Sequence, residues 1–125
     1  MIDFKNAEYL KLRQVSNDQG QQMIGPLLTS NENILASYQS IRDMVIFTTK
    51  RIIAVNVQGL TGKKKDYSSL PYTKVQAFSV ETAGTFDLDA ELELWFSGLG
   101  RVKFEFTGST NITEIARNIG ELTLK

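Results

Sequence analysis

The chain of 125 residues has no cysteine, no histidine and only two prolines. Without cysteine, neither a disulfide framework nor a thiolate metal site can form. The absence of histidine removes the commonest general base and metal ligand. Since no nucleophile elbow or phosphate loop compensates for these absences, we expect no enzymatic activity, no metal and no cofactor.

Neither sign of charge is in excess. Lysine and arginine together number 14, and so do aspartate and glutamate. A nucleic-acid-binding domain more often carries a basic excess, so we expect no nucleic-acid partner.

Long apolar runs are also missing. No stretch approaches the ~20 apolar residues of a membrane-spanning helix, and the start at Met1–Lys5 does not resemble a secretory signal. We therefore expect a cytoplasmic protein without a transmembrane segment. Peripheral membrane contact stays open, although no motif supports it.

The first thirty residues differ in pattern from the rest of the chain. The apolar residues between positions 9 and 15 are spaced as on a short helix. Ser16, followed three positions later by Gln19, has the form of a capping box and predicts the start of a second helix. Gly25-Pro26 should end or kink that helix, because proline lacks an amide donor.

From Ile34 onward the hydrophobic period becomes that of strands. Short strands at regular intervals predict a mainly β domain over residues 31–125, preceded by a helical extension over residues 1–30. We expect a seven-stranded antiparallel barrel or sandwich of two sheets. The predicted strands are 34–39, 43–49, 51–58, 63–69, 74–82, 88–96 and 101–107.

A C-terminal helix is predicted to close this barrel. Thr110 or Asn111 can provide its N-cap, and one apolar stripe runs along it. The stripe consists of Ile112, Ile115, Ala116, Ile119 and Leu122.

The strand over 88–96 alternates between apolar and acidic residues, so one face enters the core and the other meets water. Acidic residues two apart on a flat strand are ~6.5–7 Å apart, too far to share one cation, so we expect them to pair with Arg101 and Lys103 on the next strand. By this parity Trp95 points outward. It either stacks on one of those cations or makes a protein–protein contact.

Two strands are apolar on both faces, over 43–49 and 51–58. Both faces then need a cover, which is either the N-terminal segment or another copy of the chain. Met44, Ile46 and Ile52 are therefore candidate oligomer-interface residues, together with Trp95.

Several stretches resemble the bacterial pleckstrin-homology (PH) family. The similarity is carried by 41–52, 58–64 and 70–72, and above all by 78–92 (FSVETAGTFDLDAEL), within a region of about 30–122. The resemblance implies a seven-stranded, two-sheet fold with a C-terminal helix. It also implies ring-shaped homo-oligomers and no established enzymatic activity, which favours a self-associating interaction module whose protein partner is unknown.

A lysine run provides the alternative function. Lys63, Lys64 and Lys65 could bind an anionic lipid or another phosphate-bearing ligand, with Lys50 and Arg51 as possible additions. A solvated charged edge that discourages aggregation is the simpler interpretation of such a run.

Overall fold

The structure is a computed structural model and describes residues 1–124. The described residues form two compact units. The first comprises Met1–Ile2 and Gln14–Pro71, and the second comprises, among the described residues, Asp3–Arg13 and 72–124.

Eight strands and two α-helices are formed within the described residues. The fold is mainly β with a C-terminal helix, as predicted, although it has one strand more than the seven expected. The strands are β1 (Tyr9–Val15), β2 (Ile34–Ser40), β3 (Asp43–Thr48), β4 (Arg51–Gln58), β5 (Lys64–Pro71), β6 (Val75–Glu81), β7 (Ala90–Phe96) and β8 (Gly100–Phe106). The helices are α1 (Asn17–Ile24) and α2 (Ile112–Thr123).

The additional strand is β1, where the sequence pattern had predicted a helix, and that prediction is wrong. β1 pairs in parallel with β8 and its register shifts between Tyr9 and Leu12. Lys11 has a φ of 55° within this bulge. Because a bulge adds one residue, the two buried side chains Tyr9 and Leu12 are three positions apart, which imitates the spacing of a helix.

The first unit is an antiparallel meander in the order β5-β4-β3-β2, with α1 packed on it. The hydroxyl of Ser16 accepts the hydrogen bond of the Gln19 amide at 3.3 Å, so the predicted N-cap of α1 is confirmed. A 3-10 turn over Gly25–Leu27 then ends the helix at the predicted Gly-Pro pair. Ile24 at its end enters a cluster with four apolar residues of β3 and β4: Met44, Ile46, Ile53 and Val55.

The second unit contains β1, β8, β7 and β6 in that order, with α2 packed against β6 and β7. Leu94 faces Val102 and Leu92 faces Phe104, so even positions pair with even positions as the alternation predicts. The three-residue loop between β7 and β8 permits this register, with Gly98 at a φ of 81°.

The stripe on α2 is the least exposed face of the helix, as predicted, with Ala116 and Leu122 half-buried and the three isoleucines buried. Ile119 is fully buried, and Ile112 and Ile115 are nearly so. Asn111 is the N-cap, since its side-chain oxygen accepts from the Glu114 amide at 3.2 Å. No helix among residues 1–124 is long and apolar enough to cross a membrane.

Candidate functional site

The outer face of β7 and β8 contains the exposed tryptophan. Trp95 is 50% exposed and stands directly across from Arg101 on β8 and from Ala77 on β6. The guanidinium of Arg101 reaches diagonally to Glu93, with 3.6 Å between Nη1 and Oε1. A row of small, aromatic and charged side chains therefore crosses this face, with a half-exposed indole at its centre.

The carboxylates of this face pair with cations, as the alternation predicts. Lys103 Nζ lies 3.2 Å from Glu91 Oε1, next to the diagonal pair of Glu93. These exposed pairs contribute little to stability, about 0–1 kcal/mol each. They do neutralise the face around Trp95, so its approach to another surface would not desolvate isolated charges.

A second cluster of carboxylates, Asp89 and Glu105, lies where β1 pairs with β8. Lys11 forms an ion pair with Asp89, which in turn neighbours Glu105. Burial raises the pKa of Glu105, and the charge of Asp89 and a hydrogen bond to it raise this pKa further. Within residues 1–124, no three aspartates or glutamates are grouped so that they could hold a metal ion.

A groove runs beside Trp95 between residues 4–10 and the β7–β8 hairpin, with a volume of about 540 Å³. Its aromatic wall is built by Tyr9, whose ring packs edge-on against Phe104 at 5.8 Å between centroids. The groove carries cations, carboxylates and apolar side chains in mixture, so its lining favours no single ligand chemistry.

The end strands β5 and β6 differ in how well their edges are protected from pairing with a further strand. β5 begins with two lysines and ends in Pro71, residues that discourage pairing at a strand edge. The N-terminus also binds to β5: the Met1 ammonium lies 2.8 Å from Asp66 Oδ2, and the Ile2 amide donates to Ser68 Oγ at 2.9 Å. β6 pairs only with β7 among the described strands, and its seven residues, VQAFSVE, contain one charge and no proline. A strand edge of this composition is open to further pairing.

The lysine run lies at the start of β5 and is exposed throughout, from Lys63 to Lys65. Arg42, in the turn between β2 and β3, donates from Nη1 to the carbonyl of Gly59 at 2.6 Å. The bond ties the β2–β3 turn to the β4–β5 turn. The run therefore adjoins a second hairpin that the sequence alone did not connect to it.

Lys50 and Arg51 do not join this run. Arg51 begins β4 and the lysines follow its end, so they are separated by a strand of eight residues, ~26 Å. Lys50 Nζ donates to the carbonyl of Ser30 at 2.7 Å. Arg51 is engaged in a buried ion pair with Glu32.

That ion pair is a feature the sequence analysis missed. The carboxylate of Glu32 accepts from Arg51 Nε at 2.9 Å, from Arg51 Nη2 at 3.0 Å and from the Thr48 hydroxyl at 2.6 Å. Burial by itself would raise the pKa of Glu32, but the hydrogen bonds from Arg51, Thr29 and Thr48 and the charge of Arg51 outweigh it and lower this pKa to about 2. The pair holds the loop before β2 against β4, so its role is structural.

Three of the four predicted interface residues are covered within the single chain. Met44, Ile46 and Ile52 are each at most 2% exposed. The N-terminal segment covers Met44 and Ile46, because Ile24 at the end of α1 packs against both side chains. Of the predicted set, only Trp95 offers side-chain surface to a partner.

Proteins with PH domains of known structure resemble this mainly β fold with its C-terminal helix. A crystal structure of a DUF1696 family protein with a PH domain from Shewanella loihica PV-4 is 42% identical, with a TM-score of 0.79 over 91% of this chain and 98% of that one. The PH domain from Shewanella amazonensis SB2B is 39% identical, with a TM-score of 0.68 over 96% and 94%.

The sequence comparisons agree with the structural ones. The family model "Bacterial PH domain" matches residues 3–123, so the chain belongs to the bacterial PH-domain family. The match begins well before the region of similarity recognised from the sequence, and it includes β1. Uncharacterized protein YjqA of Bacillus subtilis (strain 168) is 42% identical over 99 residues, which is 78% of this chain and 79% of that protein.

Proposed function

We propose that this protein is a non-enzymatic assembly module of the cytoplasm that associates with further copies of itself through the outer face of β6 and β7. The observation that carries the proposal is the half-exposed Trp95, placed among charges that already pair with one another. Tryptophan is enriched at the centres of protein interfaces, where its large apolar surface is removed from water.

The edge of β6 supports the same surface. Ala77 stands beside Trp95 in the sheet, and together with Ser79 and Arg101 they line a shallow depression of about 170 Å³. Another copy that contacts Trp95 is therefore also next to an open strand edge. Ring closure, which the family resemblance implies, would require a head-to-tail contact between different surfaces of neighbouring copies.

Native mass spectrometry and light scattering test this proposal directly. We expect a homo-oligomer for the wild type and a smaller species, or weaker association by at least tenfold, for Trp95→Ala. Tyr67→Ala is the matched control, because Tyr67 is an exposed aromatic residue of β5 in the first unit. A strictly monomeric wild type at high micromolar concentration would rule out the assembly function.

A second candidate is the binding of an anionic lipid or another phosphate-bearing ligand by Lys63, Lys64 and Lys65. The observation that favours it is the clustering of these exposed lysines next to Arg42 at the joined turns. Co-sedimentation with acidic vesicles should weaken as salt is added, because exposed charges are screened. Equal binding to acidic and neutral vesicles would exclude this candidate.

A further inference from the structure

The edge of β6 that faces away from β7 carries a row of backbone hydrogen-bonding groups. In an antiparallel pair, alternate residues bond to the neighbouring strand, and the amides and carbonyls of the others point the opposite way. β6 is an end strand of the sheet and pairs only with β7 among the described strands. It contains no proline, so each of its residues keeps its amide donor. The edge therefore offers alternating donors and acceptors to an added strand.

An apolar margin runs along the same edge. Phe78 stands opposite Leu94 and Val80 opposite Leu92, so all four side chains are on the face of the sheet that enters the core. Leu92 and Leu94 are at most 1% exposed, whereas Phe78 and Val80 are only half-buried. A further strand beside β6 would bring apolar side chains next to Phe78 and Val80 and complete the burial of this margin.

Opposite charges mark the two ends of the edge. Lys74 immediately precedes β6 and Glu81 ends it, and both side chains are exposed. Neither forms an ion pair with another residue of the described chain. The seven residues of β6 span ~23 Å, the length of a short strand. An antiparallel strand is complementary if its N-terminal end is basic, beside Glu81, and its C-terminal end is acidic, beside Lys74.

We propose that the free edge of β6 binds an extended segment of another protein as an added antiparallel strand. The segment has a basic residue at its N-terminal end, apolar residues at alternate positions against Val80 and Phe78, and an acidic residue at its C-terminal end. Backbone hydrogen bonds give such an added strand its affinity, and the alternate side chains give it specificity. The site goes beyond the proposed assembly function, because it uses the edge of β6 and not the outer face that contains Trp95.

Fluorescence anisotropy with a synthetic peptide tests the charge selection. The probe is Arg-Val-Thr-Ile-Thr-Val-Thr-Glu with an amidated C-terminus and fluorescein at its N-terminus. We expect saturable binding to the wild type, and binding at least tenfold weaker for the same peptide with its arginine and glutamate exchanged. Lys74→Glu combined with Glu81→Lys should invert this preference, because both charges of the edge are then reversed.

A matched control makes the same charge changes elsewhere. Lys63→Glu combined with Asp18→Lys alters one exposed lysine and one exposed acidic residue of the first unit and keeps the net charge. This variant should prefer the original peptide as the wild type does. If the Lys74→Glu and Glu81→Lys variant also keeps the wild-type preference, binding at the β6 edge is overturned.

N-methylated peptides test the strand pairing itself. Only alternate amides of an added strand face β6, so methylation of the three threonine amides and methylation of the valine and isoleucine amides should differ in effect. We expect one of the two peptides to bind at least tenfold more weakly and the other to bind like the parent. If the two peptides bind equally well, pairing with a strand edge is overturned.

Hydrogen exchange identifies the edge and its occupant. On addition of the parent peptide, amide exchange of alternate residues in β6 should slow at least tenfold. If the wild type does not bind the parent peptide, the proposal is overturned. If those same amides are instead protected in the peptide-free protein, increasingly so with protein concentration, a second copy occupies the edge and the separate protein partner is overturned.

Discussion

Replacing Glu32 by glutamine removes the charge from the buried ion pair that fastens the loop before β2. The Glu32 side chain is fully buried, and Arg51 contacts both of its carboxylate oxygens, with Nε at 2.9 Å from Oε2 and Nη2 at 3.0 Å from Oε1. These contacts lower the pKa of Glu32 from 4.5 to about 2. At ~1.36 kcal/mol per pKa unit, that fall corresponds to ~3 kcal/mol of stability at neutral pH.

The contribution of ionised Glu32 to the free energy of unfolding depends on pH in a definite direction. Because the pKa of Glu32 is lower in the folded than in the unfolded chain, its contribution is complete above pH 4.5 and disappears as the pH falls through about 2. At pH 3 about 1.4 kcal/mol should remain. The stability difference between wild type and Glu32→Gln should therefore narrow from ~3 kcal/mol at pH 7 to ~1.4 kcal/mol at pH 3.

Urea unfolding monitored by far-ultraviolet circular dichroism measures this difference. Tryptophan fluorescence is less suitable, because the only tryptophan, Trp95, lies in the second unit and Glu32 lies in the first. Glu121→Gln, at an exposed position of α2, is the control and should change stability at pH 7 by less than ~0.5 kcal/mol. A Glu32→Gln difference that stays constant from pH 7 to pH 3, or that is below ~1 kcal/mol at pH 7, would refute the reasoning.

Three further predictions concern the two helices, and thermal or urea unfolding checks each. Gly20→Ala should destabilise by ~1–3 kcal/mol, because the new Cβ would lie 2.2 Å from the Oγ of buried Ser37, and adding Ser37→Ala should recover part of the loss. In contrast, Gly120→Ala should stabilise by up to ~1 kcal/mol, since its Cβ meets only Leu124 Cδ1 at 3.8 Å and alanine favours helix; a loss there would contradict the packing of α2. Asn111→Ala should cost ~1 kcal/mol through loss of the N-cap, whereas Asn111→Ser should retain most of it.

The strands from β2 onward were predictable for two reasons. Side chains of β7 and β8 alternate between core and solvent, whereas β3 and β4 are continuous apolar runs bounded by turn residues. The register of β7 and β8 follows from the same alternation, as a slip of one residue would bury carboxylates such as Glu91 and Glu93. α2 was predictable from its apolar stripe. β1 was not, because its bulge at Lys11 brings buried residues to helical spacing and because it pairs with residues of β8 that are about 95 positions away in the sequence.

The candidate surfaces were predictable only in part. Parity along β7 placed Trp95 outward, which is confirmed. Glu91 and Glu93 pair with Lys103 and Arg101 as expected. Glu91 nevertheless stands directly opposite Glu105, and Asp89 pairs with Lys11 rather than with β8. The apolar character of Met44 and Ile46 indicated a cover, but the sequence left open whether α1 or another copy provides it.

The sequence by itself determined the mainly β class, the strand limits after residue 34, the closing helix and the family. Periodicity, capping residues and similarity are local or linear properties, and they can be recognised in one chain. Only the tertiary structure decided that β1 is a strand, that Ile24 covers Met44, that Arg51 neutralises Glu32 and that Arg42 joins two turns. Each of these depends on which residues meet across long stretches of chain, and the free energy of such contacts exists only once the core has brought them together.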